Sequence, residues 1–224
     1  MWKLRLVLYS TLVLMFPFAS HASTIASCET FGNVDISTGA NSAACVPANE
    51  KFNVGFRSEN AAARVAYGIM GVEGGLQISD GVIDGSSGIA SGFTSQAMFS
   101  DTYTVNTSTP TSGFLVFKDL VDGSSLFAGS GTYGTGAQDG NFTDTYFIVS
   151  GPISTDTTLG NGSQLLTVFL PFVSSETTSF SFALQTNGGC GIGWNSSCQA
   201  STDYFNTSIV TGYSVELRYR VVGR

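Results

Sequence analysis

Ala97-Met-Phe-Ser-Asp101-Thr-Tyr-Thr-Val105 and, after a polar break, Gly113-Phe-Leu-Val-Phe117 are the runs within residues 93–126 that decide the fold. Side chains alternate along a strand, so Ala97, Phe99, Asp101, Tyr103 and Val105 share one face. Met98, Ser100, Thr102 and Thr104 share the other, as a wetted surface would. Asn106 to Ser112, with Pro110 among Ser, Thr and Asn, reads as a turn. The apolar run that follows reads as a second strand, closed by Asp122-Gly123. Asp101 is the one polar residue on the apolar face.

The same signature recurs outward from this pair. Phe52 to Phe56, Ala61 to Met70, Thr143 to Val149 and Ala200 to Ile209 read as strands, although Ala61 to Arg64 also suits one helical turn. Leu166, Val168, Leu170 and Phe172 share a face, as do Phe180, Phe182 and Leu184. From Tyr213 to Val221, Val215, Leu217, Tyr219 and Val221 alternate with Glu216, Arg218 and Arg220. Glycine turns such as Asp80-Gly81 and Asp84-Gly85 punctuate Gly71 to Gly92. Residues 23–50 read as a small, polar N-terminal arm. With 42% hydrophobic residues and seventeen Phe, the chain has ample apolar mass for a core. The expected fold is all-β: a single, jelly-roll-like β-sandwich of about ten antiparallel strands.

Residues 1–22 carry the three parts of a signal peptide: Lys3 and Arg5, the apolar Leu6 to Ala19, and the cleavage site Ser20-His21-Ala22. Fourteen residues make a helix of about 21 Å, short of a bilayer core of roughly 30 Å. Domain 23–224 is therefore expected to be exported, extracellular or periplasmic, with no membrane anchor. Cleavage would remove His21, the only histidine, and with it imidazole chemistry near neutral pH. It would leave seven Lys/Arg against sixteen Asp/Glu, a net charge of −9. Such a surface repels nucleic acid and anionic lipid.

Four cysteines, Cys28, Cys45, Cys190 and Cys198, imply two disulfides of three possible connectivities. Neighbour pairing, Cys28 with Cys45 and Cys190 with Cys198, is favoured over a long-range tie from the N-terminal segment to the 190s. Their spacing does not suit a four-cysteine zinc site.

Chemical motifs are sparse. Gly129-Ser-Gly131-Thr-Tyr-Gly134 matches G-x-G-x-x-G, but Thr135-Gly136 after it cannot open the helix that would hold a pyrophosphate. Asp139, Asn141 and Asp144 offer hard oxygen ligands, so calcium is the one cofactor left open, although a polar hairpin turn is the favoured account of them. Asp80, Asp84, Asp119 and Asp122 invite the same question. A Ser-His-Asp triad is impossible in the processed chain, G-x-S-x-G does not occur, and the carboxylates sit singly. Trp194 and Tyr133 are candidates to stack on sugars, although Trp194 is better read as plugging one end of the core. Sequons at Asn106, Asn141, Asn161, Asn195 and Asn206 are expected by chance in so Ser/Thr/Asn-rich a chain.

Ala97-Met-Phe-Ser-Asp101-Thr-Tyr-Thr-Val105, Gly113-Phe-Leu-Val-Phe117 and Val121-Asp-Gly123 resemble a segment of exported bacterial PEP-CTERM proteins. Val168-Phe-Leu-Pro-Phe172, the Phe180/Phe182/Leu184 strand and Ala200-Ser-Thr-Asp203-Tyr-Phe-Asn206-Thr resemble that family's later strands. The likeness covers roughly residues 93–222. It implies an extracellular β-sandwich of Gram-negative bacteria associated with exopolysaccharide or biofilm matrix, with no established enzyme activity. The family's Pro-Glu-Pro motif, membrane helix and basic tail have no counterpart in Arg218 to Arg224, which fits a freely secreted relative or a frame that lost its tail. The family pattern also carries an aspartate where Asp101 stands, which implies a structural clamp. Backbone N–H groups of a turn or a serine hydroxyl are the expected donors, because burial of a carboxylate must be offset. Function is expected to be non-enzymatic, structural or matrix-associated, with polysaccharide or matrix proteins as partners. A carbohydrate-binding module, with or without calcium, is the alternative.

Overall fold

A computed structural model describes residues 23–30, 33–38, 42–52, 55–66, 68–79, 89–107, 111–130, 142–192 and 197–218. Twelve strands run through them: β1 (Ser23–Thr30), β2 (Asn33–Thr38), β3 (Ser42–Phe52), β4 (Gly55–Ala66), β5 (Ile69–Ser79) and β6 (Ile89–Thr104). Then follow β7 (Ser112–Ser130), β8 (Phe142–Ser150), β9 (Thr155–Thr158), β10 (Gly162–Val173), β11 (Thr177–Ile192) and β12 (Ser197–Arg218). They form two antiparallel sheets. Sheet I has the order β2-β1-β6-β11-β8-β9 and sheet II the order β10-β7-β12-β5-β4-β3.

From β5 onward the chain crosses between sheets at nearly every connection. The eight strands β5 to β12 give two four-stranded halves, β5-β12-β7-β10 and β6-β11-β8-β9, which is the order of a jelly roll. The hairpin β1-β2 extends sheet I beyond β6, and β3-β4 extends sheet II beyond β5. The segment expected as an N-terminal arm thus supplies three strands. Its alternation survives in small residues, with Ala26, Cys28 and Thr30 buried on β1.

Burial follows the alternation read from the sequence. Ala97, Phe99, Tyr103 and Val105 are buried, as are Val168, Leu170, Phe172, Phe180, Phe182 and Leu184. Phe99 on β6 and Phe117 on β7 both meet Phe182 edge-on, at centroid distances of 5.5 and 5.3 Å. The two strands of the deciding stretch therefore face one another across the sandwich, in different sheets, rather than pairing as a hairpin.

Boundaries differ from expectation at several places, the first being Phe52 to Phe56, where Phe52 ends β3 and pairs with Gly55 at the start of β4. The run Ala61 to Met70 is the end of β4 and the start of β5, turning at Gly68, whose φ of 72° suits a glycine. Ala200 to Ile209 and Tyr213 onward are one strand, β12, whose register shifts twice against β7. β7 runs on to Ser130, past Asp122-Gly123 where it was expected to close. The side chains of β12 from Asn206 onward, and residues 219–224, lie outside the described part, so the inward row expected there is not assessed.

Candidate functional site

Both cysteine pairs are disulfides, and both connect one sheet to the other. Cys28 on β1 bonds Cys45 on β3, with Cα atoms 5.9 Å apart. Cys190 on β11 bonds Cys198 on β12, at 6.1 Å. All four are buried. Disulfides persist where thiols are not kept reduced, so the folded chain belongs to a non-reducing compartment. The Ala44 N–H donates to Asp35 Oδ2 at 3.2 Å, a further tie from β3 to β2 beside the first disulfide.

The outer face of sheet I is the most distinctive surface described. No Lys or Arg occurs in any of its six strands. Lys51, Arg57, Arg64, Lys118 and Arg218 are all on sheet II. Direct pairing lines up rows of side chains across the strands. One row runs Ser27, Gln96, Gln185, Tyr146 from β1 to β8. The next runs Glu29, Thr94, Asn187, Asp144 over the same strands. On the other side lies an apolar row, Ile25, Met98, Ala183, Ile148.

The amides are organised. Gln96 Nε2 donates to Gln185 Oε1 at 3.2 Å, and Gln185 Nε2 donates to Asn187 Oδ1 at 3.2 Å. An amide carries two N–H donors and an oxygen with two lone pairs, so these two bonds leave donors and acceptors over at every member. Tyr146 hydrogen-bonds to Asp144. Its hydroxyl pKa is raised above the ordinary 10.0 by partial burial first, then by the Asp144 charge and hydrogen bond and by the Asp156 charge. The phenol stays neutral, with its ring half-buried on the outer face.

A second cluster, on the outer face of sheet II, is structural. Around Phe205, β12 bulges against β5 between Tyr204 and Ser208. Arg64 Nε donates to the Phe205 carbonyl at 2.5 Å, and its guanidinium lies 4.8 Å over the Phe205 ring. A Cβ on Gly71 would collide with that carbonyl oxygen. The Phe205 N–H donates to Asp203 Oδ1 at 3.2 Å, and the buried Tyr204 hydroxyl donates to the Gly160 carbonyl at 2.8 Å. Glu73, opposite Asp203, has its carboxyl pKa raised by burial and by Asp203, with Arg64 opposing. The Asp203-Tyr-Phe segment thus fixes a bulge.

The remaining expected site residues are spread out. Asp101 is half-buried and accepts the Thr102 N–H at 2.7 Å, a donor from its own strand. Asp119 is fully buried on the inner face of β7, and Asp122 is half-buried near its bend. Asp144 lies on the sheet I face, and no group of three metal-ligating side chains occurs among the described residues. Trp194, Tyr133, Asp139, Asn141, Asp80, Asp84 and the segment 1–22 lie outside the described residues. Among the described residues no helix is long and apolar enough to cross a membrane. Gln96, Gln185, Asn187 and Tyr146 were not singled out from sequence, because no local spacing joins strands so far apart in the chain. No protein-family model matches the chain, and no curated protein matches its sequence.

Proposed function

We propose that the protein is an exported, non-enzymatic β-sandwich that works through its surface, as a structural component of an extracellular matrix or cell envelope. The observation that carries this reading is the pair of buried disulfides, each stapling sheet I to sheet II. A closed loop of 17 residues lowers unfolded-chain entropy by about 3 kcal/mol and one of 8 by about 2.5 kcal/mol. That reinforcement suits a chain exposed to proteases and lacking a cell's chaperones. The resemblance of residues 93–222 to PEP-CTERM proteins supports the same placement, as does the signal-peptide pattern of residues 1–22.

The test is location and processing. Expressed with a C-terminal tag in a Gram-negative biofilm-forming host, the protein is expected in the washed matrix or periplasm, with Ser23 as its first residue. Cytosolic protein retaining residues 1–22 would contradict the reading. Carbohydrate binding is the second reading, favoured by the base-free amide and tyrosine rows of sheet I.

A further inference from the structure

We infer that the outer face of sheet I binds a neutral, linear polysaccharide laid across its strands; this rests on the proposed surface role and names its ligand class. Charge comes first. A uronate, sulfate or phosphate polymer needs cations, and none of the six strands carries Lys or Arg, while Glu29, Asp144 and Asp156 lie on the outer rows. An anionic chain is repelled at this face and a neutral one is not.

Hydrogen-bonding chemistry narrows the class. The Gln96–Gln185–Asn187 amide chain holds its members in fixed orientation and leaves each with unused donors or acceptors. Vicinal hydroxyls of a pyranose both donate and accept, and so match amides and the carboxylate of Asp144. Pyranose rings also have apolar C–H faces. The Tyr146 ring, next to Ile148 in the apolar row, supplies the surface those faces need.

Geometry sets the direction. Strands lie about 4.8 Å apart, so a row from β1 to β8 advances about 14 Å in three steps, comparable with one sugar unit per strand. The glycan runs perpendicular to the strands, its hydroxyls towards the amide rows and its C–H faces towards Tyr146, Met98 and Ile148.

The experiment is calorimetric titration of the oxidised mature protein, residues 23–224, with cellohexaose, mannohexaose and hexagalacturonate. At least one neutral hexaose is expected to bind saturably, with little salt dependence, and hexagalacturonate is expected not to bind. Tyr146→Ala and Gln185→Ala should each weaken binding about tenfold or more, the loss of roughly one well-formed polar or stacking contact. Gln185→Glu, which keeps the shape, reports whether amide chemistry matters and should also weaken it. Lys118→Ala on sheet II should bind as wild type. Unchanged circular dichroism and melting temperature exclude misfolding as the cause. Absence of neutral-glycan binding, preference for hexagalacturonate, or full affinity in the sheet I variants would overturn the assignment. Failure here with the protein still found in the matrix would remove the glycan site alone; failure of export would remove the functional reading beneath it.

Discussion

Phe93 gives the sharpest test of how the two sheets close. Its ring is 3% exposed and lies between Gly74 on β5 in sheet II and Gly188, its direct partner on β11 in sheet I. A Cβ on Gly74 would sit 2.1 Å from Phe93 Cδ2, and one on Gly188 would sit 2.3 Å from Phe93 Cε1. Neither glycine has a positive φ, so alanine suits the backbone and the nearest conflict is with the ring. On unfolded-state entropy Gly74→Ala should stabilise by about 0.4–1 kcal/mol. Overpacking a close-packed core costs about 1–3 kcal/mol and dominates. The net loss is about 0–2.6 kcal/mol, a fall of up to about 10 °C in Tm for a domain of this size. Phe93→Ala alone should cost about 3–5 kcal/mol. With the ring gone, Gly74→Ala loses its nearest obstacle and should become neutral or slightly stabilising. Urea unfolding of the four proteins, disulfides intact, should therefore give a coupling energy of about 1–3 kcal/mol. A cycle that closes to within about 0.3 kcal/mol would refute the wedge.

Three further outcomes follow from the same structure. Replacing Cys190 and Cys198 together by serine should lower stability by about 2.5 kcal/mol, measured by urea unfolding, while an unchanged midpoint would mean the staple contributes nothing. Asp101→Ala removes the acceptor of the Thr102 N–H and should cost about 1–2 kcal/mol, with Asp101→Asn milder; unchanged melting temperatures in both would end the clamp idea. Glu73 has a folded-state pKa above its ordinary 4.5, so its ionisation costs stability as pH rises from 4.5 through that raised value, and the cost is complete above it. Glu73→Gln should raise Tm at pH 7, and the difference should vanish as pH falls below 4.5, where both states hold the proton; a lower Tm at pH 7 would show that attraction to Arg64 outweighs burial.

The fold was legible because period-2 alternation survives wherever large side chains mark the inner face. Phe99, Tyr103, Phe180, Phe182 and Leu170 carry that signal, and all are buried. It weakens where the inner residues are small, as in Ala26 and Ala43 on β1 and β3, which is why those strands read as an arm. Ala61 to Val65 shares that weakness, and the turn at Gly68 lacks a polar cluster to announce it. Pro171 sits within an apolar run, and the edge position of β10 explains how a strand accommodates a residue with no N–H donor. The candidate site was much less legible. Gln96 and Gln185 are 89 residues apart and meet only because β6 and β11 pair. Most of their outer-face residues are uncharged polar ones, which read as ordinary solvated surface until the register lines them up. Asp144 was noticed for its oxygen atoms, but its neighbours on the sheet are Tyr146 and Asn187.

The proposal that the sheet I face holds a neutral polysaccharide without cutting it is tested by one paired measurement. The oxidised mature protein is incubated with a panel of neutral hexasaccharides, and bound sugar and newly formed reducing ends are quantified in the same samples. Saturable binding with reducing ends at the protein-free level is the expected result. Reducing ends that accumulate in proportion to protein and time would contradict it.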